Sequence, residues 1–192
     1  LHRILGVTLK SAWFMAHRIR EAMRTGGLAP FGSDGGAVEV DETFIGIEPG
    51  KKVKRAFHHK MKVLSLVDRN SGQARSMVID DLKPSTIGPL VRENMAKEAR
   101  LMSDEAWVYT QLGKEFAGHG VVRHGRGEYV VGDAHTNTIE GYFSIFKRGM
   151  RGIYQHCSKK HLHRYLAEFD FRYNNRVALG VHDEARAVHA LK

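Results

Sequence analysis

The sequence lacks features on which several classes of protein depend. Its single cysteine, Cys157, excludes disulfides within the chain and a zinc ribbon built on cysteines. No apolar run approaches the ~20 residues that a membrane span requires, and no signal-peptide pattern opens the chain. The glycine-containing stretches do not have the spacing of a phosphate-binding loop, so no nucleotide-binding site is expected. These absences favour a cytoplasmic protein in a reducing compartment.

Acidic residues are the scarcer charged class. The chain has 30 Lys and Arg residues against 21 Asp and Glu residues, which gives a formal net charge of +9 over 192 residues. Such an excess favours a polyanionic partner, either nucleic acid or an anionic membrane surface. Because no membrane span is expected, nucleic acid is the partner that the sequence predicts.

Composition and periodicity divide the chain into four segments. They are a helical segment at 1–25, a glycine-rich linker at 26–36, a domain of strands and helices at 37–176, and a tail or short helix at 177–192. The chain starts at Leu1 within an expected helix and without an initiator methionine. We therefore expect a fragment or an incomplete reading frame.

The segment 37–176 has the pattern of a mixed sheet. Strands are expected at 37–47, 60–68, 73–80, 100–103 and 121–123, with a hairpin turn at Asn70-Ser71-Gly72. Helices are expected at about 84–97, 110–117, 136–150 and 159–176, and a short one at 183–191. Three meandering strands followed by alternating helices and strands predict an α/β fold, with one mixed five-stranded sheet flanked by helices.

The N-terminal segment is compatible with two structures. An apolar stripe at helical spacing comprises Leu9, Ala12, Trp13, Ala16, Ile19 and Met23. The residues expected away from that stripe are Lys10, Ser11, Phe14, His17 and Arg18. Gly6-Val7-Thr8 offers a turn and an N-cap before the helix. The segment is either a partial helix-turn-helix, with Lys10, Ser11 and Arg18 facing DNA, or a plain amphipathic helix packed on the main domain.

Two aspartates occupy strand positions that suit a functional site. Alternation along the first strand puts Glu39, Asp41, Thr43 and Ile45 on one face and Val38, Val40 and Phe44 on the other. A carboxylate in mid-strand, such as that of Asp41, is costly unless a cation neutralises it. Asp104 follows a short apolar strand, and ligands gather at the carboxyl ends of strands in α/β sheets. Each acid alone is also compatible with ordinary turn chemistry.

A third acid lies on an expected helix. The core stripe of that helix is Ile139, Phe143, Phe146 and Met150. Its polar side carries Asn137, Glu140, Ser144, Lys147 and Arg151. Glu140 and Lys147 lie two turns apart on that side, so an acid and a base address the same region. A solvated face with surface charges is the alternative interpretation.

The three acids taken together predict a metal site. Asp41 and Asp104 on strands and Glu140 on a helix that crosses the sheet would converge as an oxygen-rich set, which suits Mg²⁺ or Mn²⁺. Two such ions about 4 Å apart activate a nucleophile and stabilise a leaving 3′ oxygen in phosphodiester chemistry. A basic surface around an acidic metal site is a coherent arrangement for an enzyme acting on DNA.

Four stretches resemble bacterial insertion-sequence transposases of the DDE type, which have a compact RNase-H-like catalytic domain. They are VEVDETFIG at 38–46, MSDEAWVY at 102–109, GEYVVGDAHTNTIEGYFSIFKRGMRGIYQH at 127–156 and HLHRYLAEFDFRYNNR at 161–176. The resemblance extends over nearly the whole chain, and HTNTIEG…KRG is highly specific. It implies that Asp41, Asp104 and Glu140 are the catalytic triad and that the fold is RNase-H-like.

The same resemblance implies partners and further residues. Lys147 would help to position DNA, and we group Arg148 and Arg151 of the same helix with it. Some relatives use Asn at the third acidic position, so Asn137 is the alternative metal ligand. The expected partners are transposon ends and target DNA, bound by a homodimer or higher assembly in the bacterial nucleoid. Such transposases commonly carry an N-terminal zinc ribbon, which this sequence does not contain.

Weaker patterns give further predictions. The basic run at 51–60 is either a hairpin that grips the DNA backbone or a solvated loop. Its expected DNA-binding residues are Lys51, Lys52, Lys54 and Arg55. A zinc site formed by His156, Cys157, His161 and His163 is disfavoured, because His161 and His163 are two residues apart on one helix. The alternative functions are a nuclease that does not join DNA and an inactive DNA-binding transposon remnant.

Overall fold

A five-stranded mixed sheet forms the centre of the computed structural model, which describes residues 1–24, 29–53, 55–122, 133 and 135–191. The strands are β1 (Ala37–Ile45), β2 (Met61–Asp68), β3 (Ala74–Ile79), β4 (Arg100–Asp104) and β5 (Gly118–Val122). Their order is β3-β2-β1-β4-β5, with the first three antiparallel and β4 and β5 parallel to β1. The predicted α/β fold, with one mixed five-stranded sheet flanked by helices, is confirmed.

Helices surround the sheet. They are α1 (His2–Leu5), α2 (Leu9–Ala22), α3 (Pro84–Asn94), α4 (Trp107–Leu112), α5 (Asn137–Gly149), α6 (Lys159–Asn174) and α7 (Asp183–Ala190). Gly113–Glu115 and Val177–Leu179 form 3₁₀ turns, and Met150–Tyr154 continues α5 as a π-helical turn. In the part of the chain that the structure describes, no helix has the length and apolar character needed to cross a bilayer.

Two predicted boundaries are wrong by about three residues. The helix expected at 110–117 begins at Trp107 instead, because the Asp104 carboxylate accepts a hydrogen bond from the Ala106 amide at 2.9 Å and turns the chain directly into α4. β5 begins at Gly118 rather than near Val121. Its first residues, Gly-His-Gly, have low strand propensity, so parallel pairing with β4 determines where this strand starts.

The two faces of the sheet bury different helices. Val38 and Val40 of β1 pack with Ile87 and Val91 of α3 on one face. On the other face, strand residues pack against α5, the turn that follows it and α6. The strand residues are Ile45, Met61 and Val63, and the helix and turn residues are Phe146, Met150, Leu162, Leu166 and Phe169. The predicted core stripe of α5 is confirmed, because all four of its residues are buried. The predicted alternation along β1 is confirmed as well.

The exposed edge of β3 is closed by side chains of α6. The Asn174 side chain exchanges two hydrogen bonds with the backbone of Ala74, at 2.6 and 2.9 Å. Asp170, one turn earlier, accepts a hydrogen bond from the Ser76 amide at 2.8 Å. Asp170 and Asn174, one helical turn apart, thus bind Ser76 and Ala74, which lie two residues apart on the strand. The edge groups are satisfied without another strand, which prevents unwanted strand pairing.

Helix α2 packs on α6 through a largely polar face, so the predicted apolar stripe is wrong except at Ala12, which is buried. Thr8 caps the helix as predicted, accepting a hydrogen bond from the Ser11 amide at 3.1 Å. Trp13 of the stripe is half exposed, whereas His17, predicted to lie away from it, is buried. Arg20 forms an ion pair with Glu168 of α6 at 2.8 Å. Ion pairs and ring contacts, rather than aliphatic burial, therefore determine which side of α2 faces the domain.

Candidate active site

The pairing of β1 with β4 brings two of the predicted acids to neighbouring strands. The parallel register pairs Val38 with Leu101 and Glu39 with Met102. The next residues on the face of Glu39 and Met102 are Asp41 and Asp104, since side chains alternate along each strand. Asp104 is the last residue of β4. The two carboxylates therefore approach each other where β4 ends.

Asp41 is an under-neutralised carboxylate. Burial first, and then the negative charges of Glu42, Asp104 and Glu140, together raise its pKa from 3.8 to about 8, although a hydrogen bond from the Glu42 amide at 2.7 Å opposes the shift. The charges of both Asp104 and Glu140 thus act on Asp41. Removing this repulsion requires either protons or a cation.

Glu42 is a fourth acid at the same place, which the sequence analysis did not single out. Burial first, and then the charge of Asp104, raise its pKa from 4.5 to about 7, although the hydrogen bond from Tyr109 opposes the shift. The Tyr109 hydroxyl of α4 donates a hydrogen bond to Glu42 at 2.5 Å. Its position directly after Asp41 in the DET sequence was the available signal, but alternation assigns it to the opposite face.

Glu140 lies in the first turn of α5, on the exposed polar side predicted for it. The Thr136 hydroxyl donates a hydrogen bond to its carboxylate at 3.1 Å. Asn137, the predicted alternative ligand, is exposed at the first residue of the helix. The charge of Glu140 contributes to the raised pKa of Asp41, whereas the neutral Asn137 amide has no charge to contribute.

A buried ion-pair network connects β1 to the start of α5, and the sequence analysis missed it. Glu39 is fully buried on the same face of β1 as Asp41. One of its oxygens accepts a hydrogen bond from Arg69 Nε at 2.7 Å, and the other accepts one from the Ile139 amide at 2.8 Å. Arg69 also donates to the His135 carbonyl at 2.6 Å. Glu39 thereby fixes the helix turn that carries Glu140.

Basic side chains flank the acids on α5 and the turn that follows it. An open hollow of about 570 Å³ is lined by Ser144, Lys147, Arg148, Arg151 and Gly152. Partial burial lowers the pKa of Lys147, the positive charge of Arg151 lowers it further, and the carboxylate of Asp41 opposes the shift. Lys147 therefore lies between the acids and the basic hollow, where a phosphate would be attracted.

The other predicted DNA-binding residues occupy two further surfaces. Lys51, Lys52 and Arg55 are exposed in the loop between β1 and β2, and the predicted Lys54 lies outside the described residues. Lys10, Ser11 and Arg18 are exposed on the outer side of α2. These surfaces belong to elements different from the α5 cations, so the structure does not gather all the predicted contacts into one cluster.

The donor set suits a hard divalent cation in its chemistry. Carboxylate oxygens are the ligands that Mg²⁺ and Mn²⁺ prefer, and such an ion would offset the repulsion among these acids. Within the described ranges, however, no group of three His, Cys, Asp or Glu side chains is arranged to hold a metal ion. The acids are close enough to interact electrostatically but do not form a closed coordination shell.

Sequence comparison relates the chain to mobile-element proteins. The family described as the ISXO2-like transposase domain matches residues 34–174. An uncharacterized protein in transposable element ISH50 of Halobacterium salinarum is 32% identical over 117 residues, which is 59% of this chain and 38% of that protein. The chain thus spans well under half the length of this relative.

Structural comparison finds distant similarity to three nucleic-acid recombination proteins. The catalytic core domain of BIV integrase has a TM-score of 0.44 at 14% identity, with 69% of this chain and 80% of that chain covered. A simian T-cell lymphotropic virus intasome in complex with PP2A regulatory subunit B56 gamma has a TM-score of 0.37 at 14% identity, with 84% of this chain and 57% of that chain covered. The Drosophila P element transposase strand transfer complex has a TM-score of 0.30 at 10% identity, with 96% of this chain and 57% of that chain covered. On the strength of the family match, which covers well over half of its residues, the chain belongs to the ISXO2-like transposase domain family.

Proposed function

We propose that the chain catalyses metal-dependent phosphodiester cleavage and strand transfer at the ends of an insertion sequence. The observation that carries the proposal is the buried Asp41, whose pKa is raised by burial and by the charges of Glu42, Asp104 and Glu140. The chain belongs to a transposase family, and in a transposase such a carboxylate cluster would bind the catalytic metal ions. Asp41, Asp104 and Glu140 are the proposed catalytic acids, with Asn137 as an additional or alternative ligand.

Each group of residues has its own proposed role. The three acids would hold one or two Mg²⁺ or Mn²⁺ ions, which when bound supply activation of the nucleophile and stabilisation of the leaving 3′ oxygen. Lys147, together with the other cations of the α5 hollow, binds and orients the DNA phosphates. The hydrogen-bonded contact of Glu39 with the Ile139 amide keeps the α5 turn in place.

The proposed partners are transposon ends and target DNA. Exposed Lys10, Ser11 and Arg18 on α2 are proposed to contact DNA as part of a partial helix-turn-helix at 1–25. Residues 37–176 are the proposed catalytic domain, and a homodimer on DNA is the proposed assembly. The salt dependence of DNA binding by Arg18→Ala tests the first point, because losing one phosphate contact lowers the slope by about one.

A supercoiled-plasmid nicking assay with Mn²⁺ and Mg²⁺ tests the catalytic proposal. Asp104→Ala should lower nicking by about 10³-fold or more, since a lost metal ligand removes several kcal/mol of transition-state stabilisation. DNA binding in EDTA should be unchanged or stronger, because a negative charge has been removed. Glu105→Ala, the exposed neighbouring acid, is the matched control and should keep most of the activity. Normal nicking by Asp104→Ala would overturn the proposal.

A second candidate function has one observation in its favour. Because the described side chains do not form a ready metal site, the chain could bind DNA without cutting it. Absence of nicking in both metals, with DNA binding retained, would select this inactive form. A nuclease without joining activity is distinguished by supplying DNA with a free 3′-hydroxyl and measuring joined products.

A further inference from the structure

The loop between β1 and β2 carries a stack of aromatic rings. Phe44, near the end of β1, stacks on Phe57 with ring centroids 4.4 Å apart and planes 18° from parallel. Phe57 in turn contacts His58, with centroids 4.9 Å apart and planes at 35°. The phenylalanines are half-buried and His58 is exposed, so the stack leads from the sheet toward the surface.

The backbone around this stack is held in a defined and strained conformation. Ala56, directly before Phe57, has φ of 61°, which is unfavourable for a residue with a Cβ atom. The Lys60 amide donates to the Phe57 carbonyl at 2.9 Å, and the Glu48 amide donates to the His59 carbonyl at 2.8 Å. Strain that the surrounding bonds maintain is frequent at binding sites.

A basic hollow adjoins the exposed end of the stack. Its volume is about 430 Å³, and it is lined by Lys51, Lys52, His58 and His59. Both lysines are exposed, whereas His59 is buried and forms the base of the hollow. The Lys51 ammonium forms an ion pair with Glu48 at 2.5 Å. The His58 ring and the Lys52 ammonium therefore remain as the aromatic and the cationic groups of this lining. A flat π-system and a neighbouring phosphate are the two groups that such a lining recognises.

We propose that this loop binds one unpaired nucleotide of DNA, with its base stacked on the exposed face of His58 and its phosphate beside Lys52. The bases of an intact duplex are stacked on each other, so their faces are open to a protein ring only where the strand is unpaired. Phe44 lies three residues after Asp41 on β1, about 10 Å along the strand. The loop would therefore hold an opened strand close to the carboxylates. The inference rests on the proposed action on DNA and specifies the form of its substrate.

The test compares two single strands that have the same phosphates. The full chain is titrated in EDTA with a fluorescent 15-nucleotide oligothymidine, and separately with a strand of equal length made of abasic residues. The wild-type protein should bind the base-bearing strand at least 5-fold more tightly, because one stacked base contributes about 1–3 kcal/mol. His58→Ala and Phe57→Ala should bring the ratio of the two affinities close to one. Lys52→Ala should weaken binding of both strands and preserve the ratio.

The controls separate this inference from the proposed function. His182→Ala, an exposed histidine beside α7, should leave the ratio unchanged. Equal binding of both strands by the wild type, or an unchanged ratio in His58→Ala, would overturn the inference. A protein that nicks plasmid DNA but has no base preference refutes the inference alone, whereas one that neither nicks plasmid DNA nor prefers the base-bearing strand refutes both. Since His58 is exposed, its variant provides the test even if Phe57→Ala is unstable.

Discussion

Glu39 and Asp41 lie two residues apart on the same face of β1, yet their surroundings are opposite. Glu39 is fully buried and neutralised, with Arg69 on one oxygen and the Ile139 amide on the other. Asp41 has other carboxylates as neighbours, and its pKa is raised to about 8, mainly by burial. One strand thus holds a satisfied acid beside an unsatisfied one. The difference indicates that Glu39 maintains the structure, whereas Asp41 is available for a ligand.

The largest effect on stability is expected from breaking the satisfied pair. Glu39→Ala should lower the free energy of unfolding by about 3–5 kcal/mol, because Arg69 would remain as a largely buried charge without its partner. Urea denaturation measures this loss. The double variant Glu39→Met with Arg69→Met should lose much less, since it leaves no buried charge. If the single and double variants are equally unstable, packing rather than charge accounts for the role of Glu39.

Neutralising Asp41, the unsatisfied acid, is expected to raise the free energy of unfolding rather than lower it. The folded pKa of Asp41 lies above its ordinary 3.8, so ionisation destabilises the metal-free fold increasingly as the pH rises from about 4 to about 8. Asp41→Asn should therefore raise stability in EDTA by on the order of 2 kcal/mol at pH 9, and by less at pH 5. Thermal unfolding at both values checks it. A loss of stability at pH 9 would remove the distinction between the two acids.

The sequence could predict the acids but not their pairing. Alternation along β1 correctly put Glu39 and Asp41 on one face, and the mixed sheet followed from the meander and the later helices. Nothing local marked Glu39 as the structural acid, because Arg69 lies 30 positions away in a turn and the Ile139 amide 100 positions away in a helix. Neutralisation depends on tertiary contacts. Periodicity therefore located the candidate site without distinguishing the two acids.

The errors of the sequence analysis have the same physical origin. The packed face of α2 was assigned by hydrophobicity, but Arg20 and Glu21 bind side chains of α6 and rotate the polar side inward. Similarly, the closure of the β3 edge by Asp170 and Asn174 depends on contacts made at a separation of about 100 residues. Long-range polar contacts have no periodic signal. Apolar stripes such as that of α5 do have one, and that prediction was confirmed.

A smaller effect is expected from the cation next to the unsatisfied acid. Lys147→Ala should leave the fold intact, because the side chain lies on the polar side of α5, and should weaken DNA binding about 3–10-fold with a salt slope lower by about one. Binding measured in EDTA between 50 and 200 mM salt checks it. Lys114→Ala, an exposed lysine in the 3₁₀ turn after α4, is the control. Phe146→Ala should instead destabilise the fold by ~3–5 kcal/mol.

The smallest effect concerns a third buried ionisable group, His17 of α2. Only 4% of it is exposed, and neither ring nitrogen has a hydrogen-bond partner among the described residues. Its ring packs against Trp13 at 4.1 Å and His161 at 4.8 Å between centroids. Burial lowers its pKa from 6.5 to about 4, and the positive charge of Arg20 contributes. Like Asp41, His17 is buried without a compensating partner among the side chains that the structure describes, but its burial destabilises the fold at low pH, where the ring becomes protonated.

The sign of the shift determines the test of α2 docking. The unfolded chain takes up a proton at His17 below pH 6.5, whereas the folded chain does so only near pH 4, so stability falls between these values. Protonation would add a charge beside Arg20 and Arg164, and α2 should leave α6. Trp13 fluorescence, read in a Trp107→Phe background, should report this release in the wild type between pH 6.5 and 4. In His17→Phe the transition should be weaker or shifted to lower pH. Identical pH profiles for both proteins would show that the docking of α2 does not depend on a neutral His17.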